Sequence, residues 1–116
     1  MNTNEKDQSR ISDDKIMAFV CEKVFDVAGV HGMGLNMSAT ALTKNLLKQD
    51  KKARGVRISF DDETGYTIDI YLIVVFGVNI PETAWNVQKN VFEGLKTVYD
   101  IEPENINIHI QGVHAG

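Results

Sequence analysis

One stretch limits the fold of this chain more than any other. It is the apolar run ending in "YLIVVFGVNIPETAW", followed by a long helical pattern and a short alternating one. From Thr67 to Phe76 the side chains divide between two sides of an extended backbone. Ile68, Ile70, Leu72, Val74 and Phe76 take one side, and Thr67, Asp69, Tyr71, Ile73 and Val75 the other. The first half alternates apolar with polar, whereas the second is apolar on both sides, the pattern of a strand covered on both faces. After Pro81 the period becomes helical, with Ile80, Ala84, Val87, Val91, Leu95 and Val98 in one stripe. Trp85, Phe92 and Tyr99 recur beside it, as the margin of a core or as a ridge for a partner. Glu102 and Pro103 stop the helix. Ile106, Ile108 and Ile110 then alternate with Asn107, His109 and Gln111 as a last strand. A strand, helix and strand of these lengths predict a right-handed crossover, so the strands near 67–76 and 106–111 should run parallel.

The junction "GVNIPE" is where a phosphate loop would sit. Such a loop needs several glycines and a basic or hydroxyl residue to hold the anion. Here Gly77 stands alone and Glu82 would repel a phosphate. Asn79 and Glu82 instead have the spacing of a capping-box relative, and Pro81 falls in the first turn, where its missing N–H costs little. The reading is a strand-to-helix junction.

Upstream, Ser12, Asp13 and Asp14 offer a helix start. Ile16, Val20, Val24 and Val27 share one face of that helix, widened by Met17, Cys21, Phe25 and Ala28, with Gly29 as its left-handed cap. Phe19 falls on the polar side among Lys15, Glu22, Lys23 and Asp26, either exposed or covered by something outside the core. A short strand is expected around Val30–Leu35 and a short helix around Ala39–Leu47. Val56, Ile58 and Phe60 alternate with Arg57, Ser59 and Asp61 as a half-buried strand, and "DDETG" is a tight turn with Gly65 free to take positive φ. That turn makes the strands on either side antiparallel. The expected fold is α+β: a two-layer single domain with a small mixed β-sheet and long helices on one face, in the order α-β-(α)-β-β-α-β. Residues 1–11 are read as a flexible arm and 12–114 as the domain.

The chemistry-bearing residues are sparse. Three histidines, His31, His109 and His114, fall outside any Cys/His cluster, so no metal site is expected. "DDETG" lacks the ligand spacing of a calcium loop. Cys21 lies among Met17, Val24 and Phe25, the setting of a buried structural cysteine with nothing to lower its pKa. No nucleophile–base motif is present, so neither catalysis nor a cofactor is expected. The longest apolar run, Ile70–Phe76, is too short for a membrane helix, and residues 1–14 carry no signal-peptide core. The expected location is the cytoplasm, with any membrane contact made through a partner.

The net charge is −4, from 12 basic and 16 acidic residues. Lys44, Lys48, Lys51, Lys52, Arg54 and Arg57 nevertheless cluster, with Asp50 the only acid among them. This patch is either a solvated loop or an anion or nucleic-acid site, and no aromatic interleaves with it to stack on single strands.

The segments "IDIYLIVVFGVNIPETAWNVQKNV" and "INIHIQGV" resemble the alkaline shock protein family, the envelope stress response proteins of Gram-positive bacteria. "GVRISF" and "VAGVHGM" add to the likeness. The family pattern is a strand I-D-L-Y-I-V-V, a junction G-V-x-I-P, a helix with V-Q-x-x-V and a closing strand V-x-V-H-V-x-G-V. Gln88, Val91, His109, Gly112 and Val113 fall on it. Val75 stands where the family commonly has an acid, and residues 36–54 depart from the usual segment. The resemblance implies a non-enzymatic cytoplasmic protein that self-associates and gathers at the membrane through a separate anchored partner. It implies no catalytic residues.

The second face of the 67–76 strand is the strongest interaction signal, because one layer of helices covers only one face. Tyr71, Ile73 and Val75, with Phe19, form the expected protein interface. The cover is either the Ala39–Leu47 segment or a second copy. The alternative function is nucleic-acid binding by the 44–57 cluster.

Overall fold

The structure, a computed structural model, describes residues 11–34 and 55–115. Helix α1 (Asp13–Phe25) starts at Ser12, whose hydroxyl accepts from the Lys15 backbone N–H at 3.3 Å. It ends with Asp26 as C-cap. This is earlier than the Gly29 stop expected from the apolar spacing. Gly29 does take a positive φ of 96°, but in the turn that leads into strand β1 (Val30–Met33). The chain re-enters the described residues at Gly55 and forms β2 (Val56–Asp61) and β3 (Gly65–Val75). Between these two, the Asp61 carboxylate accepts from the N–H groups of Glu63 and Thr64 at 2.7 and 3.2 Å, and Gly65 sits at φ 93°. Such a side-chain-closed turn fixes the hairpin locally.

Helix α2 (Ile80–Tyr99) begins at Asn79, whose side chain accepts from the Glu82 N–H at 3.0 Å, with Pro81 in the first turn. It ends at Asp100, a non-glycine residue in the left-handed region at φ 59°. Strand β4 (Asn105–His114) closes the chain.

β3 is the centre of a four-stranded sheet. β2 pairs antiparallel with its first half and β1 antiparallel with its second half, end to end along one edge. β4 runs parallel along the other edge, as the crossover requires. The fold is therefore α+β with a mixed sheet. The ends of β1 and β2 meet at Tyr71, where the Gly34 N–H donates to the Tyr71 carbonyl at 2.6 Å and the Tyr71 N–H to the Gly55 carbonyl at 2.7 Å.

Both helices lie on one side of this sheet. Ile68, Ile70 and Leu72 of β3 are fully buried against Ile16, Val20 and Val24 of α1 and Val87, Val91 and Leu95 of α2, and Val74 is fully buried as well. Each such burial is worth about 1.5–3 kcal/mol, enough to fix the amphipathic helices where propensity alone would not. The two helices are also tied by Asn90, whose Nδ2 donates to the Lys23 carbonyl at 2.7 Å.

Five large side chains expected on the apolar faces are exposed: Phe25, Phe60, Phe76, Ile80 and Val98. Phe76 is 72% exposed, because β3 stops at Val75 and Gly77, at φ 94°, swings the backbone off the sheet before the alternation completes. Ile80 and Val98 lie in the first and last turns of α2, beyond the area the sheet covers. The expected helix near Ala39–Leu47 and the arm up to residue 10 lie outside the described residues.

Candidate interaction surface

Because the even-numbered residues of β3 face the helices, the odd-numbered ones face away. Thr67, Asp69, Tyr71, Ile73 and Val75 thus lie on a sheet face that neither α1 nor α2 touches. Cross-strand neighbours share that face: Arg57 and Ser59 of β2, and Asn107 and His109 of β4. The face has a polar half and an apolar half.

In the polar half, Asp69 Oδ1 accepts from Asn107 Nδ2 at 3.1 Å and pairs with His109 Nε2 at 3.0 Å, an arrangement that places a proton on Nε2. The His109 ring stacks on Tyr71, with centroids 4.5 Å apart and planes at 14°. This network holds Tyr71 flat on the strand and half-buried. In the apolar half, Ile73 is half-buried and Val75 is 40% exposed. His114 stands opposite Val75, and its ring stacks on His31 at 3.7 Å with planes at 8°. All three histidines of the chain thus belong to this one face. Phe76 and Val113, the latter 49% exposed and paired with the helix-facing Val74, are exposed where β3 and β4 end. Phe76 was not recognisable from the sequence as a surface residue, since it continues an apolar alternation that stops only where the strand turns.

Phe19 is not brought to this face. It packs on the helical side, edge-on to Tyr99 at 5.1 Å, with the Lys23 ammonium 5.3 Å from its ring. Its seat exists because residue 94 is glycine: a Cβ there would come within 3.1 Å of the Phe19 ring. The cover that the polar surroundings of Phe19 did not supply thus comes from α2. The structure brings together Tyr71, Ile73 and Val75, with Arg57 exposed at the same face beside Asp69. Lys44, Lys48, Lys51, Lys52 and Arg54 lie outside the described residues.

The aromatic series on α2 divides. Tyr99 packs under Phe19, Phe92 is half-buried and Trp85 is 57% exposed, with Lys89 5.2 Å from its ring. Trp85, Gln88, Phe92, Pro103 and Ile106 line a shallow depression of about 350 Å³ between α2 and β4. Cys21 is buried. Among the described residues no three His, Cys, Asp or Glu side chains converge as metal ligands, and no helix is long and apolar enough to cross a membrane.

The family model that matches, over residues 1–115, is that of the alkaline shock protein family, described as having a cell envelope-related function. The uncharacterized protein YqhY of Bacillus subtilis strain 168 is 38% identical over 88 residues, covering 76% of this chain and 63% of that protein. The uncharacterized protein YloU of the same organism is 32% identical over 109 residues, covering 93% of this chain and 89% of that protein. The uncharacterized protein Spy1614 of Streptococcus pyogenes serotype M6 is 27% identical over 103 residues, covering 89% and 84% respectively. No solved structure matches.

Proposed function

This chain belongs to the alkaline shock protein family, of cell envelope-related function, and from that premise we propose that it is a non-enzymatic cytoplasmic scaffold. Its copies associate through the open face of the sheet, and the assembly docks onto a membrane-anchored protein. One observation carries this reading. Both helices occupy the same side of the sheet, and the other side presents Tyr71, Ile73 and Val75, the last 40% exposed. A contiguous apolar patch with a polar rim is a contact surface. The rim here is the Asp69–Asn107–His109 network, whose hydrogen bonds are already made within the chain. A second copy then meets a satisfied polar margin and an apolar centre that neither α1 nor α2 covers, the arrangement of a protein–protein interface. A closed two-fold pair needs only one such self-complementary patch. Docking to a membrane-anchored partner joins the envelope-related family function to the lack of a membrane-spanning helix among the described residues.

The test is Ile73→Asp. A carboxylate at the centre of the patch has no partner once a second copy covers it, which costs several kcal/mol. Light scattering should report a lower mass than the wild type, with an unchanged far-UV circular dichroism spectrum. A wild-type chain that stays monomeric at high concentration, or a folded Ile73→Asp variant with wild-type mass, would sink the reading.

A further inference from the structure

The sheet has two edges, and they are built differently. On one, β2 carries Arg57 and Asp61 and runs into the acidic turn Asp61–Glu63. Charges of this kind keep an edge strand from pairing with another chain. The other edge is β4. From Asn105 to Val113 it has no Asp, Glu, Lys or Arg, and no strand among the described residues pairs with its outer side.

The direction of the β4 backbone groups follows from β3. The N–H groups of Tyr71 and Val75 donate to Gly55 and Gly29, so the odd-numbered residues of β3 point their backbone groups towards β2 and β1, and the even-numbered ones towards β4. In the parallel register that sets Ile68 opposite Ile106, Asn105, Asn107 and His109 bond to β3, and Ile106, Ile108 and Ile110 point outwards. The Ile106 carbonyl agrees with this, because it accepts from the Gln88 side chain at 2.7 Å on the outer side. Beyond Ile110 the register shifts, and the bulge at Gln111 ends the regular ladder.

We propose that β4 pairs with β4 of a second copy, edge to edge and antiparallel about Ile108, so that the two sheets join. This rests on the reading that copies self-associate, and it adds a second contact to the one made by the sheet face. The segment is self-complementary. With Ile108 on the two-fold axis, Ile106 lies opposite the partner's Ile110, and the outward N–H and C=O groups at Ile108 and Ile110 find partners. On the helical side the half-buried Ile106, Ile108 and Ile110 meet their own kind. On the other side Asn107 meets the partner's His109. No like charges oppose each other along the ladder. Trp85 and the depression between α2 and β4 lie over this seam, and a second copy covers them. One contact through the edge and another through the face allow an open assembly, where either alone closes as a pair.

The variant Ile108→Pro tests this, because it removes an outward N–H and leaves the ladder to β3 intact, as proline is tolerated at such an edge position. Sedimentation of the full chain should show the mass fall from that of the open assembly to that of a pair, with circular dichroism unchanged. Amide hydrogen exchange on the wild-type chain gives a second readout that does not depend on the variant folding. The Ile108 and Ile110 amides should exchange slowly at concentrations where the mass exceeds that of a monomer, and quickly on dilution. If those amides exchange freely in the oligomer while Ile73→Asp lowers its mass, edge pairing is wrong and the face reading stands. If they are protected and Ile73→Asp leaves the mass unchanged, edge pairing stands and the face reading is wrong.

Discussion

Gly55 is the sharpest test of how the interaction face is positioned. It sits where β2 begins, against the backbone that carries Tyr71. A Cβ at this position would lie 2.8 Å from the Tyr71 carbonyl oxygen, 2.9 Å from the Gly34 carbonyl oxygen and 2.9 Å from the Met33 Cβ. The first two are backbone atoms, so no rotamer change relieves the contact. Gly55→Ala must move the start of β2 away from β3. Overpacking of this kind costs about 1–3 kcal/mol. The displaced Gly34-to-Tyr71 and Tyr71-to-Gly55 hydrogen bonds, at 2.6 and 2.7 Å, weaken with it, each worth about 0.5–1.5 kcal/mol. A total near 3 kcal/mol lowers Tm by roughly 12–24 °C for a domain of this size. Gly32→Ala is the control: its Cβ meets nothing within 4 Å, and it should leave stability unchanged or raise it by up to about 1 kcal/mol. Thermal and urea unfolding followed by circular dichroism, at one fixed protein concentration, measures both. If Gly55→Ala unfolds within about 0.5 kcal/mol of wild type, the picture of a rigid three-strand junction at Tyr71 is wrong.

Two further outcomes follow from the same structure. Asp100 holds the left-handed C-cap of α2 at φ 59°, so Asp100→Gly should raise stability by up to about 1 kcal/mol in urea unfolding, the relief of backbone strain slightly exceeding the entropy cost of glycine. The triple substitution Lys48→Glu, Lys51→Glu and Lys52→Glu should leave the light-scattering mass of the chain unchanged. The wild type should show no RNA retardation at low salt. A salt-dependent RNA affinity lost in the triple variant would favour the nucleic-acid reading instead.

Much of the architecture was legible because it is encoded locally. The Asn79 cap, the Pro81 first turn and the Asp61–Gly65 turn each depend on a few adjacent residues, and each forms in the structure as read. The crossover was legible because its period changes from two to 3.6 residues and back, and the chirality rule leaves little choice for such a unit. What was not legible depends on where elements stop and on what lies across from them. Phe76 continues an apolar alternation, and only the turn at Gly77 removes it from the sheet. Phe19 looked uncovered because its cover is an absence, the missing side chain of Gly94 on a distant helix. The His31–His114 stack joins residues far apart in the chain, and no local pattern announces it. The arrangement of β1 and β2 end to end beside β3 also follows from tertiary pairing alone.

The central claim is that a second copy covers the sheet face at Ile73. The most direct measurement is the rate at which a maleimide labels Ile73→Cys as protein concentration is varied, with the buried Cys21 as a slow internal reference. Labelling should be slow at high concentration and fast on dilution, in step with the fall in mass seen by light scattering. Fast labelling at every concentration, while the protein remains oligomeric, would contradict the claim.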